Sequence, residues 1–228
     1  MRRWFSKMSR DGVIDLMIII LPLFLFPVSF IVLREIFILS MAISVAFMGS
    51  LSLVIMLVRG VFYKIMLRGR LSSAMISSVL ATAILYIVFL IGGYLSILLG
   101  LWSYVDSIYL SIEISAKAYK NLLPIILAFI GFMEEIFWRG YVQGYFIENR
   151  LGIRDLTAVL ISTLYYTLVH MPTLNLVLIV GAFFVGVITG IIALRYGVLN
   201  SIIVHVLWLE FVIVYMPVPS VLGKLGIL

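Results

Sequence analysis

Long apolar segments, separated by short polar or basic stretches, make up most of the chain. The apolar segments lie at residues 13–33, 36–58, 72–99, 122–147, 156–171, 174–194 and 199–216. Most of them approach or exceed the roughly 20 residues with which an α-helix crosses a bilayer. Because backbone polar groups must be satisfied within the membrane, the segments predict helices. The pattern therefore indicates an all-α, polytopic transmembrane bundle of about seven spanning helices.

The first apolar segment follows a basic N-terminus, as the core of a signal peptide does. It exceeds the ~7–15 residues of such a core and lacks a small-residue cleavage pattern, so we expect it to be retained as a span. Pro22 and Pro27 lie inside it and predict a kink. Asp15, near its start, is expected at the membrane interface.

Residues 101–121 differ from the spans because aromatic and charged side chains alternate there. These are Trp102, Tyr104, Asp106, Tyr109, Glu113, Lys117, Tyr119 and Lys120. This composition is typical of an amphipathic helix lying at the membrane interface. No repeat or second domain is evident, so residues 1–228 are expected to form one transmembrane domain, with the chemistry-bearing helices at 122–210.

Composition and charge support a membrane protein and exclude several functions. The chain is 64% hydrophobic and only 11% charged, whereas soluble domains are about 25% charged. The net charge of +6 comes from basic residues near segment ends. Nucleic-acid binding is not indicated, because the sequence has no basic face with interleaved aromatic residues. With no cysteine in the chain, disulfides, thiolate metal sites and cysteine catalysis are excluded.

The basic residues also predict an orientation. If the N-terminus is cytoplasmic, twelve of the sixteen Lys and Arg residues lie toward the cytoplasm, as the positive-inside rule requires. The four on the opposite side are Arg34, Lys117, Lys120 and Lys224. We therefore expect a multi-pass protein with a cytoplasmic N-terminus.

Three ionisable residues interrupt the segment at 122–147, namely Glu134, Glu135 and Arg139. Such groups cost at least ~2.5 kcal/mol each at membrane depth, so they require pairing or a function. Glu135 precedes Arg139 by four residues, the favourable order for an ion pair on one helix face. Glu134 is rotated by about 100° and lacks that partner. The alternative interpretation is that Glu134, Glu135 and Arg139 together form one charge cluster with a purely structural role.

A carboxylate left alone in apolar surroundings can serve in catalysis, because burial disfavours its charged form and makes it a base that works near neutral pH. The only two histidines, His170 and His205, lie in later spans. Glu134 and His170 are each 14 residues from the same end of their helices, about 21 Å deep, whereas His205 is only ~9 Å deep. This depth difference is left unexplained by the sequence.

Two chemistries fit these residues. Glu134, His170 and His205 could bind zinc, since two histidines and a carboxylate form a catalytic zinc site. Alternatively, Glu could act as base for water while His stabilises the oxyanion, without metal. A His-Glu-x-x-His pair is absent, but spacing alone leaves both chemistries open.

An ordered set of motifs carries a resemblance to a known family. The set is Glu134-Glu135-x-x-x-Arg139, Tyr166-x-x-x-His170 with Pro172, Gly186-x-x-x-Gly190, Arg195-Tyr196-Gly197-Val198-Leu199 and Ile202-x-x-His205. Over roughly residues 124–210 it resembles the type II CAAX prenyl protease and bacteriocin-processing family. The resemblance implies an intramembrane glutamate protease with a cavity inside a helical bundle, opening toward the cytosol.

The resemblance also implies residue roles. Glu134 would activate water together with His170, His205 would help to hold the oxyanion, and Glu135 and Arg139 would support them. The implied substrate is a peptide or protein, either CAAX-type and prenylated or otherwise membrane-associated, and no cofactor is implied.

Two positions depart from the family pattern. Tyr166 replaces the usual Phe and adds a hydroxyl, and Leu209 stands where the family has Asn or Asp. An oxyanion donor is worth roughly 2.7–4 kcal/mol of barrier, so its loss would be costly. Glu210, if protonated, and Ser201, four residues before His205, are the polar candidates to compensate. For Ser201 a packing role is expected.

Three hypotheses follow for the function. The first is an intramembrane endopeptidase that uses Glu134 and His170. The second, motivated by Leu209, is a non-catalytic membrane scaffold or immunity-type protein of the same fold. The third is a zinc peptidase using Glu134, His170 and His205; a transporter is the weakest alternative, because no repeat is evident.

Overall fold

The computed structural model describes residues 10–68 and 71–228, and these ranges contain helices and no strand. The α-helices are α1 Arg10–Ile20, α2 Pro22–Pro27, α3 Phe37–Val58, α4 Phe62–Met66, α5 Leu71–Leu98, α6 Trp102–Ala116, α7 Leu123–Glu135, α8 Asp155–Leu168, α9 Leu176–Tyr196, α10 Val198–Leu209 and α11 Val218–Lys224. Wider π-helical segments extend three of them, at Val28–Val32 after α2, Ile136–Arg150 after α7 and Glu210–Tyr215 after α10. The predicted all-α bundle is confirmed.

Within the described ranges, six helical stretches are long and apolar enough to cross a membrane. They are Asp11–Val32, Arg34–Val58, Ser73–Leu98, Trp102–Arg150, Leu176–Tyr196 and Val198–Tyr215. The remaining predicted span, at 156–171, corresponds to α8, which has 14 residues. The architecture is consistent with about seven spans.

The first span is broken where the prolines predict a kink. α1 ends at Ile20, α2 begins with Pro22 and contains Pro27, and π geometry follows at once. Proline has no backbone N–H and its ring clashes with the preceding turn, so a regular helix cannot continue through Pro27. The second half of this span is therefore an irregular element packed on α3.

The amphipathic character predicted for residues 101–121 is present in α6. Ile112 and Ala116 are buried against Ile38 and Leu127, whereas the charged side chains of α6 are exposed. The Lys117–Leu122 segment that follows is a 3₁₀ turn leading into α7. Location of α6 at the membrane interface stays a prediction.

Charged contacts gather the predicted cytoplasmic loops at one end of the bundle. Arg59 Nη1 lies 2.7 Å from Asp11 Oδ2, and Arg68 Nη2 lies 2.9 Å from Glu148 Oε2. Arg150 pairs with Asp15. The loops after α3 and after the Ile136–Arg150 segment thus share one end, as the charge pattern requires. Which side of the membrane this end faces stays a prediction. Four of the basic residues assigned to the cytoplasmic side, Arg2, Arg3, Lys7 and Arg70, lie outside the described residues.

Asp15 has a fully buried side chain, and its expected place at the membrane interface stays a prediction. Tyr141 donates a 2.7 Å hydrogen bond to Asp15 Oδ1, and Tyr145 and Arg150 contact Oδ2. Three partners from the segment after α7 satisfy the carboxylate, which makes burial tolerable. The contact joins the first span to the helix that carries Glu134.

The start of α10, which carries His205, is covered by a distant part of the chain. Gly197 has φ +90°, and a Cβ at this position would lie 2.5 Å from the carbonyl oxygen of Met66. The backbone N–H of Arg68 donates to the carbonyl of Tyr196. The chain around residues 66–68 therefore passes beneath the start of α10. The depth of His205 in the membrane stays a prediction.

Glycines on α9 allow it to approach α8 closely. A Cβ at Gly186 would lie 2.7 Å from Thr163 Cγ2, and one at Gly190 would lie 2.8 Å from Val159 Cγ1. Small residues permit such backbone approach in membrane helix pairs. This packing brings polar side chains of α8 and α9 to the helix that contains Arg139.

We predict that Gly186→Ala destabilises the protein by about 1–3 kcal/mol, because the added methyl overpacks the contact with Thr163. Thermal unfolding in detergent micelles measures the effect. Gly92→Ala is the matched control, since Gly92 also lies in a helix and a Cβ there meets nothing within 4 Å. Equal effects at both positions would contradict a tight α8–α9 contact.

Candidate active site

The junction between α7 and the following π-helical segment carries the acidic motif into the bundle interior. Glu134, Glu135, Arg139, His170 and His205 are each exposed by 4% or less. α8, α9 and α10 all pack against this junction or the segment after it. The five sequence-predicted site residues are therefore all buried, and the structure shows which of them meet.

Glu135 has three polar partners. Its Oε2 lies 3.6 Å from Arg139 Nε, which confirms the predicted pair. His205 Nδ1 lies 2.9 Å from Oε1, and the hydroxyl of Ser201 donates to Oε2. The expectation that Ser201 is only a packing residue is wrong. A carboxylate with this many partners is stabilised in its charged form.

Arg139 is held by two neighbouring helices, α8 and α9. Its Nε donates to Thr189 Oγ1 of α9 at 2.8 Å, and its Nη1 donates to Ser162 Oγ of α8 at 3.2 Å. Its guanidinium carbon lies 5.3 Å from the ring centroid of Tyr166, a cation–π distance. Sequence reasoning missed Thr189 and Ser162; polar residues inside apolar segments were the available signal.

Glu134 is held differently from Glu135. The Tyr166 hydroxyl donates to its Oε2 at 3.4 Å, and His205 Nε2 lies 3.6 Å from the same oxygen. Arg139 makes its ion pair with Glu135 instead. The division of the motif predicted from helix geometry, with one paired Glu and one Glu lacking that arginine, is therefore present.

His205 lies between the two glutamates, with Nδ1 toward Glu135 and Nε2 toward Glu134. Isolated buried charges are costly in an apolar interior. Glu135 and Arg139 form an ion pair, and His205 links this pair to Glu134.

His170 follows the end of α8 and is oriented by its own backbone. Its Nδ1 lies 2.7 Å from the carbonyl oxygen of Tyr166. Since a carbonyl only accepts, Nδ1 carries the proton and a neutral ring has its lone pair on Nε2. The ring centroid lies 4.8 Å from that of Tyr166 and 5.4 Å from those of Phe26 and Phe30. Tyr166 thus connects His170 with Glu134.

Leu209, at the position where the resembled family has Asn or Asp, and its neighbour Glu210 have different surroundings. Leu209 is apolar and packs on α7, where a Cβ on Gly131 would lie 3.1 Å from its Cδ1. Glu210 is buried, and within the described ranges its Oε2 has no hydrogen-bond partner. Glu210 also makes no ion pair with the cluster in the described part of the chain. Neither residue joins the site through a polar contact.

The zinc hypothesis requires a grouped ligand set. In the part of the chain that the structure describes, no three His, Asp or Glu side chains are grouped as a metal site would be. Glu134 contacts His205, and Tyr166 contacts both Glu134 and His170. The metal content of an active preparation is the test of this hypothesis.

A buried carboxylate and two imidazoles within a bundle of apolar helices define a membrane-embedded site suited to general acid–base chemistry. Residues 116–209 match the family model described as type II CAAX prenyl endopeptidase Rce1-like. The resemblance stated from the sequence motifs is thus confirmed by a family-model match over residues 116–209. The matched range contains the five predicted site residues.

The match supports a CAAX-type intramembrane protease at the level of the family, because the Rce1-like family is a protease family. It also supports an integral, multi-pass membrane protein. Comparison with curated proteins and with solved structures gives no match.

We predict that Arg139→Met destabilises the protein by about 3 kcal/mol or more, because it leaves Glu135 buried and without its cation. Adding Glu135→Gln to this variant should recover part of the loss. Unfolding in detergent measures both. Arg59→Met is the control, since its ion pair with Asp11 is partly exposed, and it should leave the midpoint unchanged. Equal effects of Arg139→Met and Arg59→Met would contradict a stabilising role of the buried pair.

Proposed function

We propose that the protein is an intramembrane endopeptidase in which Glu134 and His170 activate water for attack on a peptide bond. The observation that carries this proposal is the asymmetry of the glutamate pair. Glu135 is bound by Arg139, Ser201 and His205, whereas Glu134 contacts only a tyrosine hydroxyl and an imidazole among its described polar partners. Glu134 is thus able to gain and release a proton.

The reaction begins with a water held between Glu134 and the Nε2 lone pair of His170. Glu134 takes a proton as the water oxygen bonds to the scissile carbonyl carbon. Collapse of the tetrahedral intermediate breaks the carbon–nitrogen bond, and Glu134 returns the proton to the leaving amine. Atoms and charge balance, and Glu134 ends ionised, as a general base must.

The charge of the cluster complements the transition state. With Glu134 and Glu135 ionised and Arg139 and His205 protonated, the four groups together carry no net charge. When Glu134 takes the proton from water, they become positive by one unit while the carbonyl oxygen becomes negative. Preorganised charge of this kind is a large contribution to enzymatic rates. His205 in its protonated form can donate to the oxyanion through Nε2.

The proposed substrates are peptides or proteins that reach a membrane-embedded site, with prenylated CAAX-type tails and other membrane-associated segments as the two classes. The proposed enzyme needs no cofactor. Its proposed orientation has the N-terminus in the cytoplasm, on the basis of the twelve basic residues assigned to that side.

We predict that Glu134→Gln lowers turnover at least 10²-fold, the scale of general-base catalysis, without lowering the unfolding midpoint. A peptidase assay on purified protein in liposomes, with a broad library of plain and prenylated peptides, measures turnover. Glu135→Gln is the comparison and should act in part through stability, because Arg139 loses its anion. Unchanged turnover in Glu134→Gln would reject the assignment.

The same assay separates the alternatives. The scaffold hypothesis expects no cleavage by the unmodified protein and is tested with Leu209→Asn beside it. The zinc hypothesis expects stoichiometric metal in an active preparation. Cleavage by the unmodified protein with less than stoichiometric metal supports the proposed mechanism over both.

Access to the site is proposed to require movement of the irregular second half of the first span. Phe26 and Phe30 of this element make ring contacts with His170, and Phe26 also contacts Trp138. A single hydrogen bond between side chains, 3.1 Å from Ser29 Oγ to Ser44 Oγ, links it to α3. Opening there would expose His170 to a substrate that arrives from the bilayer.

We predict that the double variant Ser29→Cys/Ser44→Cys loses activity on oxidation and regains it on reduction. The two hydroxyls are close enough for their replacements to cross-link, and the chain has no other cysteine. Each single variant, treated identically, is the control and should stay active. Full activity of the cross-linked protein would show that substrate enters elsewhere.

A further inference from the structure

We infer that Trp208 is a further catalytic residue, whose indole N–H donates a hydrogen bond to the oxyanion of the tetrahedral intermediate. This inference rests on the proposed peptidase function. Its starting observation is an unsatisfied donor. Trp208 is 8% exposed, and Nε1 has no hydrogen-bond acceptor among the described residues. Because an unpaired buried donor costs free energy, such a group indicates an acceptor that binds there.

Trp208 lies directly beside the catalytic cluster. It follows His205 by three residues on α10, and the two ring centroids are 5.7 Å apart with an interplanar angle of 40°. His205 in turn contacts both glutamates. A carbonyl oxygen that receives a hydrogen bond from His205 Nε2 would therefore lie in the neighbourhood of the indole.

The indole is held in place before any substrate binds. The Phe89 ring lies against it at a centroid distance of 4.6 Å. Phe89 is itself confined by α9, since a Cβ at Gly181 would lie 3.0 Å from Phe89 Cζ. A donor fixed in this way needs little reorganisation during the reaction, which is the condition for effective oxyanion stabilisation.

The other side chains near His205 are already committed or chemically unsuited. Ser201 donates to Glu135, and the Tyr166 hydroxyl donates to Glu134. Leu209 is apolar, and a carboxylate such as Glu210 accepts hydrogen bonds unless it is protonated. An indole is a donor only and does not titrate. Trp208 is thus suited to an anionic acceptor at every working pH.

Three further buried groups that can donate lack partners within the described ranges, namely Trp138 Nε1, Arg139 Nη2 and the hydroxyl of Thr163, which lies against Gly186 of α9. Arg139 is bound to Glu135, Thr189 and Ser162, and its charge is needed there. Trp138 makes ring contacts with Phe26, Phe137, Tyr165 and Tyr166, and with neither histidine. Trp208 is therefore the unpartnered indole that lies beside a histidine of the site.

The first measurement is the rate of peptide cleavage. Trp208→Phe keeps an aromatic ring but removes the donor, and we expect kcat to fall about 10²-fold with little change in KM or in the unfolding midpoint. Trp102→Phe, at the start of α6, should retain the kcat of the unmodified protein. An unchanged kcat in Trp208→Phe, or an equal fall in both variants, overturns the inference.

The second measurement observes the hydrogen bond itself. The chain has four tryptophans, and ¹⁵N-indole spectra with Trp208→Phe identify the Trp208 signal. The probe is a phosphinic peptide, with a phosphinate in place of the scissile amide of the best library substrate, which mimics the tetrahedral intermediate. We expect the Trp208 indole proton to move downfield when this peptide binds. A signal that does not move overturns the inference even if kcat falls, because the loss would then reflect packing.

The two failures are distinguishable. If no peptide is cleaved, or Glu134→Gln still cleaves, the proposed function is wrong and the role of Trp208 falls with it. If Glu134→Gln is inactive while Trp208→Phe keeps its kcat, only the role of Trp208 is wrong.

Discussion

The ion pair between Glu135 and Arg139 is the interaction on which the rest of the site depends. Two adjacent carboxylates in an apolar bundle would repel each other and would be costly to keep ionised. Arg139 cancels the charge of one, and Ser201 and His205 complete its hydrogen bonds. Glu134 is then left without the arginine. The Glu135–Arg139 pair thus separates a charge-paired glutamate from Glu134, the glutamate proposed as general base.

The pair in turn depends on close helix packing. Arg139 reaches Ser162 on α8 and Thr189 on α9, and these helices approach because α9 presents Gly186 and Gly190 to α8. Within an apolar interior there is no water to satisfy a guanidinium, so its partners must come from neighbouring helices. Small residues on α9 therefore serve the charge balance of the site as well as the packing of the bundle.

The first span contributes to the site although it carries none of the motifs. Asp15 binds Tyr141 and Arg150 of the segment that follows α7, and Phe26 and Phe30 pack against His170. The irregular backbone around Pro22 and Pro27 places these rings over the site. The Rce1-like match covers residues 116–209, so this contribution comes from outside the matched domain.

The sequence by itself determined the class of fold, the neutral Glu135–Arg139 pair and the separate position of Glu134, because hydrophobic length and helical spacing are local properties. Only the tertiary structure decided what covers the start of α10, what Ser201 binds and where Asp15 is buried. Each of these depends on contacts between segments far apart in the chain: the start of α10 over Met66, Ser201 against Glu135, and Asp15 against Tyr141. Spacing within one helix carries no information on such contacts.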